Sequence, residues 1–214
     1  MLLGGATGFE AGAADRGNSG LPPGPGNPIA ALYSQIKDLI ARVTNLENAA
    51  NQNATMWINH LDLVPGGAEV ETFFDSTNSG VGGGLSGLIV TSTTAGETFT
   101  GGGNKVIEKG LQVPPNYKIT GVRVCYESTS ATTFISQIRL DQLQDPPSTA
   151  LVILDDGTDL TNPGPVCVNS AATSVDPSLG AVRLSLRVNF DATTFATDRI
   201  VIRGLGLLLQ RTGL

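Results

Sequence analysis

Three aspartates around one glycine are the residues of this chain that come closest to a chemical site. They are Asp155, Asp156 and Asp159, in the segment Asp-Asp-Gly-Thr-Asp. Calcium prefers carboxylate oxygens as ligands, so the segment is a weak candidate for a calcium site. An Asp-Gly pair is also an ordinary hairpin turn, which is the simpler interpretation. Glycoside hydrolysis needs two carboxyl groups facing each other across a sugar ring, and neighbours on one turn do not provide that arrangement.

Other catalytic arrangements are not indicated by the sequence. His60 is the single histidine, so a Ser or Cys nucleophile would have only this base, and its position favours packing. The motifs GxSxG, GxxxxGK[ST] and HExxH are absent from the sequence. Nothing singles out two further acidic pairs, Glu69 with Glu71 and Asp141 with Asp145. We therefore predict that the chain is not an enzyme and has no cofactor.

The two cysteines, Cys125 and Cys167, allow two interpretations. They lie in separate strand-like runs, and neither belongs to a CxxC or a Cys/His cluster, so a zinc site is not indicated. They could be two small buried apolar side chains. Alternatively, they could form a disulfide between neighbouring strands, which would require an oxidising compartment.

Aromatic side chains that could stack on a sugar are few, at 5% of the chain. The single tryptophan, Trp57, lies where a helical pattern gives way to strands. Tyr117 and Tyr126 are the candidates for a sugar-binding face. Tyr126 alternates with Val122 and Val124, a pattern that places it in a core.

Charge and composition exclude several classes of partner. The 214 residues carry a net charge of -6, and only 15% of them are charged. An acidic chain is a poor partner for a nucleic-acid backbone or an anionic membrane. The sequence has no apolar run long enough to cross a bilayer and no recognisable signal peptide.

The elements that would position these residues begin with a helix. Ile29, Ile36 and Val43 are spaced by seven residues, and Leu32, Leu39 and Leu46 repeat the same spacing three residues later. This seam is narrow, so we predict a parallel coiled-coil stalk over residues 29–55 rather than a helix on a large core. The predicted interface between chains consists of Ile29, Leu32, Ile36, Leu39, Arg42, Val43, Leu46 and Glu47.

Arg42 to Glu47 matches the Arg-h-x-x-h-Glu pattern of short trimeric coiled coils. The Arg42 stem can cover Leu46 while its guanidinium meets Glu47 of a neighbouring chain. Branched residues at one seam position and leucine at the other favour dimers instead. We predict a trimer from the Arg–Glu pattern.

Two further segments flank the stalk. Residues 1–28 are rich in Gly and Pro without a collagen register, which predicts an extended tail that attaches to a larger assembly or acts as a linker. Residues 56–214 change to a two-residue period interrupted by turn-rich segments, which predicts a jelly-roll-like β-sandwich head. The predicted strands are Val70–Phe74, Leu88–Ser92, Lys105–Val113, Lys118–Glu127, Thr133–Leu143, Ala150–Leu154, Pro165–Asn169, Val182–Phe190 and Arg199–Gln210.

This order of tail, heptad stalk and β head resembles trimeric fibre proteins, such as phage tail or capsid fibres and collagen-like bacterial surface proteins. The resemblance implies a non-enzymatic homotrimeric structural or adhesive fibre. Its tail would join a virion or surface assembly, and its head would meet a glycan or protein receptor outside the cell. The alternative function is a carbohydrate-binding β-sandwich module. A polysaccharide depolymerase tip is the third hypothesis, and it would need acidic residues that converge in a groove.

Overall fold

The computed structural model describes residues 28–50, 53–74, 87–144 and 149–212. The chain divides into two compact units, residues 1–45 and 46–214, and each is described by itself. The predicted tail therefore lies outside the described residues except for Pro28, and Asp145 lies outside them as well.

A single long helix, α1, covers Pro28–Ala50. Proline suits the first helical position because its missing N–H would have no intrahelical partner there. The six apolar seam residues are all exposed, between 43% and 62%. Self-association through them, and the contact between Arg42 and Glu47, stay predictions. No helix within the described ranges has both the length and the apolar character needed to span a membrane.

The stalk boundary predicted at residue 55 needs a correction. The helix ends at Ala50, and residues from Asn53 onward are in a strand. Asparagine is a poor helix former, so the run around Asn48 and Asn51 already weakens the helix. The backbone of residues 53–58 instead pairs with the last long strand of the chain. Asn53 is therefore a strand residue and not part of the helical seam.

Eleven strands follow the helix in the described residues, and nine of them correspond to the predicted strands. The two that the sequence did not reveal are the first two, β1 and β2. The strands are β1 Asn53–Ile58, β2 Val64–Pro65, β3 Val70–Phe73, β4 Leu88–Ser92, β5 Val106–Leu111, β6 Tyr117–Ser128, β7 Phe134–Gln144, β8 Ala150–Asp156, β9 Val166–Asn169, β10 Gly180–Asn189 and β11 Ile200–Arg211.

The strands form two antiparallel sheets. Sheet A has the order β3-β4-β11-β6-β9, with β1 paired to the second half of β11. Sheet B has the order β2-β5-β10-β7-β8. Apolar residues from both sheets form one buried cluster. The prediction of a mainly β, sandwich-like fold is confirmed.

Strand β10 shows how the pattern creates the two layers. Val182, Leu184, Leu186 and Val188 are buried in the core, while Arg183 between them is exposed. Each buried Leu or Val contributes about 1.5–3 kcal/mol of hydrophobic free energy. The outer side of sheet B is consequently polar, as expected for an antiparallel sheet with one face on the core.

Strand β11 departs from this alternation because it is central in sheet A. Leu205, Leu207 and Leu209 face the core and are at most 3% exposed. A strand loses its alternation in this way when it is covered on both faces. On the outer face, Gly206 is buried and lies opposite Trp57 of β1. The outer face of β11 is thus covered by the Trp57 side chain of the same chain.

Candidate functional site

The three aspartates proposed for calcium do not form one site. Asp155 accepts hydrogen bonds from Arg139 Nε at 3.1 Å and from Gln137 Nε2 at 2.5 Å. Asp156, its neighbour along the strand, instead accepts the Ala171 N–H at 2.6 Å. Burial raises the pKa of Asp156, but hydrogen bonds from Ala171 and Thr158 outweigh it, and the net pKa is lowered. Within the described ranges, no group of three or more His, Cys, Asp or Glu could hold a metal.

His60 and the acidic pairs also serve the structure. His60 lies in a short 3₁₀ turn, His60–Asp62, where burial lowers its pKa. Glu69 accepts the Thr100 N–H at 2.9 Å and the Thr94 hydroxyl, and hydrogen bonds from Thr100 and then Thr94 lower its pKa. Asp141 is only 4% exposed and is bound by Arg183. These contacts fix loops and strands, and they do not bring two free carboxylates together.

The two tyrosines belong to the sandwich interior. Tyr126 is 1% exposed and donates its hydroxyl to the Leu160 carbonyl at 3.0 Å, so its prediction as a core residue is confirmed. Burial raises its pKa. Tyr117 is half-buried and packs against the core. The Tyr126 ring therefore has no open surface for a sugar.

The cysteines form a disulfide on the outer side of sheet A. Cys125 of β6 and Cys167 of β9 are direct cross-strand partners, with 3.9 Å between their Cα atoms. Cys167 is exposed and Cys125 is half-buried. The interpretation as two small core side chains is therefore wrong, and the alternative describes the structure.

One row of residues crosses four strands of sheet A close to this disulfide. Trp57 of β1 pairs with Gly206 of β11, Gly206 pairs with Arg123 of β6, and Arg123 pairs with Asn169 of β9. Directly paired residues point to the same side of a sheet, so these four share the outer face. We call them the Trp57 row.

Two glycines of β11 lie beneath Trp57 and Thr55. A Cβ on Gly204 would lie 3.3 Å from Trp57 Cζ3, and a Cβ on Gly206 would lie 2.9 Å from the Thr55 methyl carbon and 3.5 Å from Trp57 Cε3. The six-membered ring thus lies across these two positions. Trp57 nevertheless remains 59% exposed. The sheet supports an aromatic ring that is open to solvent.

Polar groups surround the ring. Arg123 lies beyond Gly206, where its Cβ is 3.6 Å from the position of a Gly206 Cβ. Its Nη1 donates to Asn169 Oδ1 at 2.8 Å, which holds the guanidinium on this face. Thr55, two residues before Trp57, is exposed and has its methyl group against Gly206. An aromatic platform flanked by a hydroxyl, an amide and a guanidinium can stack on a ring and hydrogen-bond to its substituents.

The outer side of sheet B carries paired charges in place of an exposed aromatic ring. Arg183 donates to Asp141 at 2.7 Å and to Glu108 at 3.0 Å. Arg139 pairs with Asp155 at 3.1 Å. These charges pair with one another, so this face presents few uncompensated groups to a ligand.

A depression of about 620 Å³ lies beside strands β5 and β10. Gln112 is the one polar side chain among its lining residues, and none of these residues is charged. The depression therefore offers few side-chain groups that could select a polar ligand. The residues that line it are Met56, Leu111, Gln112, Val113, Pro114, Pro177, Gly180, Ala181 and Val182.

The fold and this face define an antiparallel β-sandwich with an exposed aromatic platform on one sheet. No protein-family model matches the chain. No curated protein sequence matches it at a significant level.

The chain is similar to several solved carbohydrate-binding structures. One contains the CBM22-1 and GH10 modules of Clostridium thermocellum endo-1,4-beta-D-xylanase 10B, with a TM-score of 0.42 and 12% identity over 76% of this chain. The chain spans 28% of that structure's chain. A second is the C-terminal family 22 module of Xyn10B from the same organism, with a TM-score of 0.38 and 13% identity, covering 72% and 92% of the two chains. A third is a family 29 module, with a TM-score of 0.36 and 11% identity, covering 74% and 92%. At these levels we carry no ligand and no residue role over to this chain.

These comparisons contradict the main functional prediction. The structures named above are carbohydrate-binding modules or contain one, and none is a fibre protein. The homotrimeric structural or adhesive fibre is therefore wrong as the main interpretation, and the alternative is better supported. That the chain is not an enzyme stays a prediction. Attachment to a virion or cell surface stays a prediction.

Sequence reasoning named Trp57 but set it aside, and it missed Arg123, Asn169 and the role of Gly206. Trp57 was judged by its place at the end of the stalk. The signal that could have indicated the site is the Gly-x-Gly spacing of Gly204 and Gly206 in an otherwise apolar strand, since glycine in a strand often marks a close approach.

Proposed function

We propose that the chain is a jelly-roll-like β-sandwich module that binds carbohydrate on the outer face of sheet A. The single observation that carries the proposal is Trp57, the one tryptophan of the chain, which lies 59% exposed across two glycines of β11. A tryptophan held open on a sheet presents a large apolar face on which a ring can stack and an N–H that can donate a hydrogen bond.

The surroundings of the ring favour a glycan over a protein partner. The core of a protein interface is a contiguous, apolar patch. Here Thr55 and two glycines adjoin Trp57, and Arg123 and Asn169 follow on the same face two and three strands away. A sugar presents one apolar face of C–H groups and a rim of hydroxyls. Stacking on Trp57 with hydrogen bonds to the adjacent side chains suits that chemistry.

The disulfide supports action outside the reducing cytosol. Disulfides persist in oxidising compartments, where extracellular polysaccharides are also found. The Cys125–Cys167 bond lies on the same outer face as the Trp57 row. We propose an extracellular location on this basis.

Intrinsic fluorescence tests the proposal directly because Trp57 is the only tryptophan in the chain. The full chain is titrated with a panel of soluble neutral and acidic oligosaccharides. We expect a saturable change in Trp57 emission with at least one of them and protection of the ring from acrylamide quenching. A second titration by calorimetry gives the affinity without relying on the fluorophore.

Trp57→Ala is the decisive variant. We expect its affinity, measured by calorimetry, to fall at least about tenfold, which corresponds to about 1.4 kcal/mol. Phe73→Ala is the matched control, because Phe73 is another exposed aromatic residue of sheet A, on β3. Melting curves check that both variants fold. Unchanged binding in the Trp57 variant, or equal losses in both variants, would refute the assignment of the site.

A further inference from the structure

The charge around Trp57 differs from the charge of the whole chain. The chain has a net charge of -6. The Trp57 row and the two outer-face rows beside it nevertheless contain no carboxylate and one cation, Arg123. The neighbouring rows consist of Thr55, Leu208 and Gly121 on one side and Gly204, Cys125 and Cys167 on the other.

Arg123 is also held differently from other arginines of the sandwich. Four of those pair with a carboxylate: Arg139 with Asp155, Arg183 with Asp141, Arg187 with Glu97 and Arg203 with Glu127. Arg123 donates instead to the neutral amide of Asn169. Among the described residues, no carboxylate lies within salt-bridge distance of it. The carboxylate on the same face of β6, Glu127, is buried and accepts from Arg203 at 2.7 Å.

Trp57 and Arg123 lie on the two sides of Gly206. Adjacent strands are about 4.8 Å apart, so their backbones are roughly 10 Å apart across β11. Trp57 Cε3 and Arg123 Cβ lie 3.5 and 3.6 Å from the position of a Gly206 Cβ, and the Arg123 guanidinium is hydrogen-bonded to Asn169 on β9, the strand beyond β6. An oligosaccharide can therefore stack one unit on the indole while a substituent of a following unit reaches the guanidinium.

We propose that the glycan bound at Trp57 carries a negatively charged group, a carboxylate or a sulfate, that pairs with Arg123. This inference rests on the carbohydrate-binding function proposed above. A guanidinium has five N–H donors in a planar fork that matches such oxyanions, and the bond to Asn169 uses one of them. The acidic remainder of the chain would repel an anionic polymer that is not held in this place.

The test uses oligomers of galacturonate, guluronate and glucuronate, each as the free acid and as its methyl ester. The ester keeps the shape of the sugar and removes its charge. Sulfated oligosaccharides with their desulfated forms make up the second arm. For the full chain at low salt, about 0.01 M, we expect at least about fivefold tighter binding of a charged form than of its neutral counterpart. This preference is expected to shrink at about 1 M salt, where charge interactions are screened.

Arg123→Gln is expected to abolish the preference, because the affinity for the charged form falls to about that for the neutral form. Arg139→Gln is the matched control, since it makes the same change of charge on the outer side of sheet B. It is expected to keep the preference. Preference for uronates or for sulfates identifies which anion is bound.

Three outcomes would contradict the inference. Equal affinities for charged and neutral forms would overturn it while the binding at Trp57 stands. A preference retained in Arg123→Gln, or lost equally in Arg139→Gln, would show that the charge effect does not arise at Arg123. Absence of binding to every member of both arms and to the neutral panel would refute the proposed function as well.

Discussion

The disulfide on the outer face of sheet A should make a large contribution to stability. It closes a segment of 42 residues between Cys125 and Cys167. The chain-entropy relation for a loop of that length gives about 4 kcal/mol at 25 °C. Structure in the unfolded chain reduces this value, so we expect Cys125→Ala combined with Cys167→Ala to lower the free energy of unfolding by about 2–4 kcal/mol.

The bond also holds an edge of the sheet. Strand β9 is four residues long and pairs only with β6 among the described strands. Replacing the cysteines changes packing little, because Cys167 is exposed and Cys125 is half-buried. The effect of the double variant should therefore come from the lost cross-link and not from a cavity.

Urea unfolding, followed by Trp57 fluorescence and by circular dichroism, measures this effect. The unmodified chain under reducing conditions serves as the control, and its unfolding free energy should agree with that of the double variant. A loss below about 1 kcal/mol would refute the entropic reasoning, since it would mean that the open chain already keeps β6 and β9 together. Coincidence of the two optical transitions checks that a two-state free energy applies.

Two further predictions concern the pH dependence of stability and the role of Gly206 beneath the site. Hydrogen bonds from Thr193 to Asp191 and from Thr100 to Glu69 hold the pKa values of both carboxyls below their usual range. The stabilisation that these two ionised carboxyl groups provide is therefore present above about pH 4–5 and is lost as the pH falls further. The melting temperature should consequently drop steadily from about pH 5 to about pH 2, and a constant melting temperature over that range would contradict the prediction. Gly206→Val would bring a Cβ to 2.9 Å from the Thr55 methyl carbon, so it should shift this part of β1 together with the indole and weaken glycan binding at least about threefold, or about 0.7 kcal/mol. Gly110→Val on β5 is the control, because a Cβ at Gly110 would meet nothing within 4 Å. Equal glycan affinities of the two valine variants, measured by calorimetry, would refute the role of Gly206 in the site.

Most of the fold could be predicted from local patterns. Strand β10 can be predicted from the strict alternation of apolar and polar residues, because one side of the strand faces the core and the other faces water. Strand β1 could not be predicted in this way. Asn53 and Ala54 have low strand propensity, and their extended conformation is imposed by pairing with Gln210 and Leu209. The partner strand is distant in the sequence, so no local window contains the cause.

The candidate site was harder to predict for the same reason. Its four residues come from β1, β11, β6 and β9, and only the register of these strands brings Trp57, Arg123 and Asn169 into one row. The calcium candidates show the opposite error, in which residues close in sequence are wrongly expected to act together. Asp155 and Asp156 are neighbours in sequence, but a strand turns adjacent side chains to opposite faces, where each finds its own donors.

The two outer faces of the sandwich should therefore respond differently to the same substitution. Arg139 is part of a charge pair with Asp155, so Arg139→Gln removes an interaction within the protein and should cost about 0.2–1 kcal/mol of stability without affecting glycan binding. Arg123 has an amide partner in place of a carboxylate, so Arg123→Gln should change stability less and affinity for a charged glycan more. Melting temperature and affinity measured on both variants separate the two roles. If both variants lost stability and affinity in the same proportion, Arg123 would be a structural residue, and the uncompensated charge beside Trp57 would have no bearing on binding.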